Sequence, residues 1–254
     1  VMNNKGQVTI FVIIAIIIVV AGILVYAFYP DIQSAFGDEI KNPSSFMQTC
    51  LEDSIKENLE ILSLQGGVLH PEHYLLFQDS RVEYLCYTNE YYKTCTVQIP
   101  FIDTKIQQEI KKEIKPEVES CFNSMVEAFE EKGYTVNLQK KDFDVLIQPN
   151  KVVVNLNSSV TLNKESTEKY DSMKVIVNNN IYELASISQS ILEWETKVGD
   201  AETTIYMDYY HHLKIEKFKQ TEGSTIYIVT NRNTGEKFQF ASRSVVWPPG
   251  YGVL

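Results

Sequence analysis

The sequence predicts an α+β protein: one N-terminal transmembrane helix followed by a disulfide-bonded ectodomain of about three amphipathic helices with antiparallel strands and hairpins. Three observations predict it. Val8 to Tyr29 carries no charged side chain. Three later stretches repeat apolar residues at helical spacing, and short runs rich in β-branched and aromatic residues lie between and after them. Four cysteines, none in a C-x-x-C, sit among these elements.

The apolar run comes first. Its 22 residues, Val8 to Tyr29, make roughly 33 Å of helix at about 1.5 Å per residue, enough to cross a bilayer core. Lys5 is the only charged side chain before it, and Asp31, Asp38 and Glu39 follow it. The positive-inside rule then places the N-terminus in the cytoplasm and the large domain outside the cell membrane. The run is too long for a secretory signal peptide and ends at Val25-Tyr26-Ala27-Phe28-Tyr29, without an A-x-A site, so an uncleaved signal anchor is one reading. The organisation expected is a leader at 1–6, the transmembrane helix at 7–29, a juxtamembrane connector at 30–45 and an extracellular domain at 46–254, with a weak subdomain boundary near Pro149.

Lys5-Gly6-Gln7 running directly into the apolar stretch resembles the leader of archaeal type IV pilin-like precursors. That resemblance implies cleavage between Gly6 and Gln7 and packing of the apolar helix into a filament core. Phe11 stands where the family usually has a glutamate. The string KGQVTIF, a Cys-headed helix ending in Leu64-Gln65-Gly66-Gly67, a later Cys-containing helix and Lys132-Gly133-Tyr134-Thr135-Val136 are together similar to a group of uncharacterised archaeal membrane-anchored proteins. This second resemblance implies an archaeal cell surface and no particular activity.

In the ectodomain, Ser44 or Ser45 is a candidate cap for a helix with apolar positions Phe46, Cys50, Leu51, Ile55, Leu59 and Leu62, ended by Gly66-Gly67. A loop at His70-Pro71 leads to a hairpin of Tyr84–Tyr87 and Lys93–Val97. The second helix starts near Asp103 and carries Ile106, Ile110, Ile114, Val118, Cys121, Phe122, Met125, Val126 and Phe129. Its stripe keeps phase through Pro116, where a kink or restart is expected. Strands follow at Tyr134–Leu138, Phe143–Ile147, Lys151–Leu156 with continuation toward Leu162, and Tyr170–Val177. A third helix carries Ile181, Leu184, Ala185, Ile191 and Leu192. The final third reads as strands at Thr203–Tyr210, Leu213–Phe218, Thr225–Thr230 and Phe238–Ser242. The last two are joined through Asn233-Thr234-Gly235.

Composition narrows the function classes. The chain has 254 residues, is 44% hydrophobic and 11% aromatic, and carries a formal charge of −10. That acidity argues against nucleic acid as a partner. No G-x-S-x-G, H-E-x-x-H or P-loop motif occurs, so no catalytic residue is named and no cofactor is implied.

An extracellular position favours disulfides over a metal site. Cys86 pairs with Cys95, closing the hairpin across facing positions, and Cys50 pairs with Cys121, tying two apolar helix stripes together. The pair His70 and His73 reads as a solvated loop, and His211-His212 as strand residues facing opposite ways. Tyr84, Tyr87, Tyr91 and Tyr92 cluster on the closed hairpin, and Trp247 and Tyr251 lie in an apolar tail. Tyr87, Tyr91, Tyr92, Trp247 and Tyr251 are the candidate interaction surface. Packing of alternate tyrosines, and of the tail, on the domain itself is the competing reading. Asn157-Ser158-Ser159 is the single glycosylation sequon.

The functional expectation is a non-enzymatic structural or interaction protein of the cell surface. Its partners would be the lipid bilayer and either another protein or copies of itself, in the boldest form as a pilin-like filament subunit. The alternatives are a membrane-tethered hydrolase acting on envelope polymers and an accessory subunit of a membrane complex.

Overall fold

The structure, a computed structural model, describes residues 42–246. Within them the architecture is α+β, and it corrects the expected one. Among the described residues no helix is long and apolar enough to cross a membrane. The helix expected at Gln7–Tyr29 falls outside them, as do Gly6, Gln7, Trp247 and Tyr251. The described residues form four helices rather than about three.

Helix α1 is Pro43–Leu64. Its cap is Asn42, not Ser44 or Ser45: the Asn42 side chain accepts from the Ser45 backbone N–H at 2.9 Å, and Pro43 takes the first helical position, where no N–H is needed. Met47, Leu51, Ile55, Leu59 and Leu62 form its buried stripe. The chain turns at Gly66-Gly67, with the Gly67 N–H bonded to Leu62 O at 2.8 Å. Gly67 has φ +83°, and a Cβ there would stand 2.9 Å from Ile106 Cγ1, so only glycine fits.

Helix α2 is Ile102–Glu131 and runs unbroken through Pro116. Its buried stripe, from Ile106 through Ile110, Ile114 and Val118 to Phe129, faces α1 and the strands. The Gly67–Ile106 approach at one end and the Cys50–Cys121 bond at the other make α1 and α2 an antiparallel pair.

Against this pair lies a three-stranded antiparallel meander. Its strands are β4 (Thr135–Gln139), β5 (Phe143–Gln148), β6 (Lys151–Leu156), β7 (Ser159–Asn163), β8 (Thr167–Tyr170) and β9 (Met173–Asn178). They pair in the orders β4-β7-β8 and β5-β6-β9. Register shows that each order is half of the same three long strands. The offset slips by one residue between Gln139↔Ser159 and Phe143↔Leu156, and again between Val160↔Tyr170 and Leu156↔Met173. Extra residues at 140–142, 157–158 and 171–172 break all three strands at one level, which bends the sheet. Buried Ser158 seals the break, its Oγ accepting from Lys141 N at 2.8 Å and donating to Lys141 O at 3.2 Å. The free edge of β9 is closed by a side chain: Gln48 of α1 donates to Ile176 O and accepts from Ile176 N, both at 2.9 Å, as a neighbouring peptide would.

The second sheet has the order β1-β2-β12-β11-β10, with β3 (Thr96–Val97) also on β2. Its strands are β1 (Tyr74–Phe77), β2 (Ser80–Tyr87), β10 (Leu213–Lys219), β11 (Ser224–Asn231) and β12 (Lys237–Arg243). Only β12 and β2 are parallel. Strand β11 is buried along its whole length. One face carries Val82, Tyr84, Ile226, Ile228 and Ala241, against which Leu75 and Phe77 of β1 pack. The Phe77 and Phe218 rings lie 5.2 Å apart, so β1 and β10, at opposite ends of the strand order, meet over this face. The other face supports helix α3 (Ile181–Val198).

The α3 N-terminus is capped from the β11–β12 hairpin: Glu236 accepts from the Asn180 backbone N–H at 3.2 Å, a carboxylate where the helix dipole favours one. At its other end, Gly199 has φ +79°, and a Cβ there would stand 2.2 Å from Val246 Cγ2.

Two sequence expectations fail locally. Thr203–Tyr210 is not a strand; Thr204–Tyr209 is the short helix α4. Its β-branched and aromatic residues satisfy tertiary contacts instead, with Tyr206 Oη 2.7 Å from Ser190 Oγ of α3. Strand β1 was not expected at all. It is joined to β2 by a tight turn in which Gln78 and Asp79 both have positive φ, 48° and 65°, without the glycine that usually announces such a turn.

Candidate interaction surface

The two disulfides join the pairs read from the sequence. Cys50–Cys121 links α1 to α2 with a Cα separation of 6.0 Å, and Cys86–Cys95 closes a loop with 5.4 Å. The local geometry of the second differs from the expectation. Cys86 faces Val97, not Cys95, and only Thr96 and Val97 pair with β2. Cys95 lies just before the strand, where its N–H donates to Ser244 Oγ at 3.1 Å. Among the described residues one cluster has the ligand spacing of a metal site: Cys50, Glu117 and Cys121. Its two sulfurs are bonded to each other, so neither offers a thiolate.

The loop from Thr88 to Cys95 is pinned at three points. The disulfide holds its base. The Tyr92 N–H donates to Val245 O at 2.6 Å, and Lys93 and Val245 form an isolated antiparallel bridge. Tyr92 itself adopts φ +63°. These constraints present Tyr91 and Tyr92 outward, 60% and 74% exposed.

The rest of the tyrosine cluster does something else. Tyr84 is buried, with Oη 2.8 Å from Ser224 Oγ. Tyr87 is half-buried between the His73 ring, with centroids 4.2 Å apart, and the Arg243 guanidinium, 5.7 Å from its ring centre. Tyr84 and Tyr87 thus pack on the domain itself, and of this cluster only Tyr91 and Tyr92 stand exposed.

The remaining candidates resolve individually. His73 packs on Tyr84 and Tyr87. His211 and His212 lie in a turn before β10, not on a strand, and His212 Nε2 is 2.9 Å from Glu183 Oε1. Asn157 is exposed in the break of the meander, its amide 3.2 Å from Asp144 Oδ2.

Sequence reasoning missed a buried polar network beneath the loop. Glu195, 2% exposed, accepts from Tyr227 Oη, from Ser242 Oγ at 3.0 Å and from the Ala201 N–H at 3.2 Å. Ser242 Oγ also lies 3.6 Å from Cys95 Sγ, linking the network to the disulfide. Burial, with the Glu195 charge beside it, pushes the Tyr227 hydroxyl far above its ordinary range, so it stays protonated and donates. The signal was present: Glu195 continues the phase of the buried stripe Leu184, Ser188, Ile191, Leu192. A carboxylate in an apolar stripe needs internal donors.

Glu83 is a second buried carboxyl, 8% exposed, under the His70–His73 loop; Oε2 has no hydrogen-bond partner among the described residues. Burial raises its pKa, and N–H donors from His73 and Glu72 only partly offset that.

No protein-family model, no curated protein and no solved structure matches this chain.

Proposed function

We propose that this chain is a non-enzymatic structural or interaction protein of the cell surface, with the described domain on the outer side of the membrane and Tyr91 and Tyr92 at the centre of its contact with another protein or a further copy. The observation that carries the reading is the loop at 88–95: two exposed aromatic side chains on backbone held by a disulfide and by bonds to Val245. Little ordering entropy is lost when such a loop binds, and tyrosine offers broad contact area with a polar tip. The outer location draws support from the two disulfides, which persist in oxidising compartments, and from the uncharged run at Val8–Tyr29. Assembly into a pilin-like filament is the further form of the same reading.

The test uses intact cells producing the full chain. A membrane-impermeant amine reagent should label the domain's lysines without lysis. Changing Tyr91 and Tyr92 together to serine should leave the melting temperature within about 2 °C, as for surface changes, while removing the chain's cross-linked product at the surface. Labelling that requires lysis overturns the location. An undiminished cross-link in the double variant overturns the role of the tyrosines.

A further inference from the structure

A groove of about 510 Å³ lies between α2 and the break in the meander. Its floor is apolar, made by Val118 and Phe122 of α2 and by Phe143, the first residue of β5. Its rim carries Lys115, Lys140 and Lys141, all exposed. Two carboxylates also line it, Glu119 and Asp142. Asp142 is held by Lys111 at 2.8 Å, and this bond, with an N–H donor from Phe143 and the nearby charge of Lys115, keeps it below the usual carboxylate range. Lys140 reaches Asn123 Oδ1 at 2.8 Å, which keeps its ammonium at the groove edge. In a chain of net charge −10 this rim is a local positive site over an apolar floor.

The complementary surface lies elsewhere on the same domain. Asp53, Glu57 and Glu60 fall at helical spacing on α1, opposite the stripe that packs into the core. All three are exposed, and none closes a salt bridge among the described residues. They cover about 10 Å of helix, with half-exposed Leu64 continuing the same face. The neighbouring Lys56 is drawn away to Glu52 at 2.7 Å.

We propose that the acidic face of α1 in one copy docks into the lysine-rimmed groove of a second copy. An acidic helix meeting a basic, apolar-floored groove is a helix-in-groove contact whose charges set orientation. Because the helix face of one copy fills the groove of the next, a docked pair keeps one free groove and one free helix face, and association continues head to tail. The inference stands on this geometry and does not depend on which side of a membrane the domain lies.

The test is a charge swap in the full chain. Lys115→Glu with Lys141→Glu reverses the groove, and Asp53→Lys with Glu57→Lys reverses the helix. All four positions are exposed, and circular dichroism with melting confirms that each double variant folds. Each alone should weaken self-association by about tenfold or more in sedimentation, and a mixture of the two should recover it, since each reversed surface then meets its opposite. A second arm uses cysteine pairs: Glu57→Cys mixed with Lys115→Cys should give a disulfide-linked heterodimer, with little product from either variant alone. A mixture that associates no better than its separate parts overturns the proposal. So does a cross-link confined to like pairs, which would mark a symmetric contact.

Discussion

Glu195 concentrates the chemistry of the core into one side chain. Its carboxylate is matched by three donors from three parts of the chain, Tyr227 on β11, Ser242 on β12 and the Ala201 backbone. Glu195→Ala strands the Tyr227 hydroxyl and the Ser242 Oγ in a dry interior. The expected loss is roughly 3 kcal/mol in chemical denaturation, because unpaired buried donors cost more than the bonds they formed contributed. Glu83 acts in the opposite direction. Its folded pKa is raised, so the folded state binds its proton more tightly than the unfolded chain. That stability is fully present below the unfolded value of about 4.5 and is lost as pH rises through the folded pKa. Glu83→Gln keeps the acceptor for the His73 and Glu72 N–H groups and removes the buried charge. The variant should melt higher than the parent at pH 7, and the gap should close as pH falls toward 4. A gap of the same size at both pH values would show that burial of the charge is not the cause.

Elements were legible in the sequence where the apolar pattern is strong. Helices α1, α2 and α3 each expose a full apolar stripe to inspection, and the strands around Lys151–Leu156 and Thr225–Thr230 declare themselves by β-branched runs. Where contacts rather than pattern decide, the reading failed. Helix α4 has no buried residue, so no stripe marks it, and its composition suits a strand. Strand β1 has four residues and alternates only weakly, and its turn uses Gln78-Asp79 in place of a glycine. The cysteines were legible because they sit among the paired elements: Cys121 lies on the buried stripe of α2, Cys50 is half-buried beside the stripe of α1 rather than on it, and Cys86 and Cys95 flank one loop. The two bonds should differ in weight. Cys50–Cys121 encloses 71 residues and Cys86–Cys95 only 9, so chain entropy assigns about 4 and about 3 kcal/mol respectively. Replacing both cysteines of the first pair by serine should therefore lower the denaturation midpoint more. Replacing the second pair should chiefly free the loop, read as faster amide exchange over Thr88–Lys93. Equal exchange with and without Cys86–Cys95 would leave the bonds to Val245 as the element that holds Tyr91 and Tyr92.

At the scale of the whole molecule, residues 42–246 bury their apolar surfaces in two layers: the helix pair covers one face of the bent meander, and the curled sheet carries α3 on one face and its own β1 on the other. What remains outside is aromatic at one loop, acidic along α1 and basic in one groove. Such a surface suits contact with other proteins. The exposed tyrosines were legible in the sequence, but the groove was not, because it is made by residues some 25 positions apart, Lys115 and Lys140, that meet only once the meander packs on α2. The account rests most heavily on the domain maturing in an oxidising compartment outside the cytoplasm. The direct measurement is the intact mass of the full chain taken from its native cells, denatured in excess thiol-alkylating reagent with and without prior reduction. The account predicts no alkyl group added without reduction and four added after it, one for each cysteine. Four added without reduction would mean that the thiols are free where the protein works, and the cell-surface reading would fail.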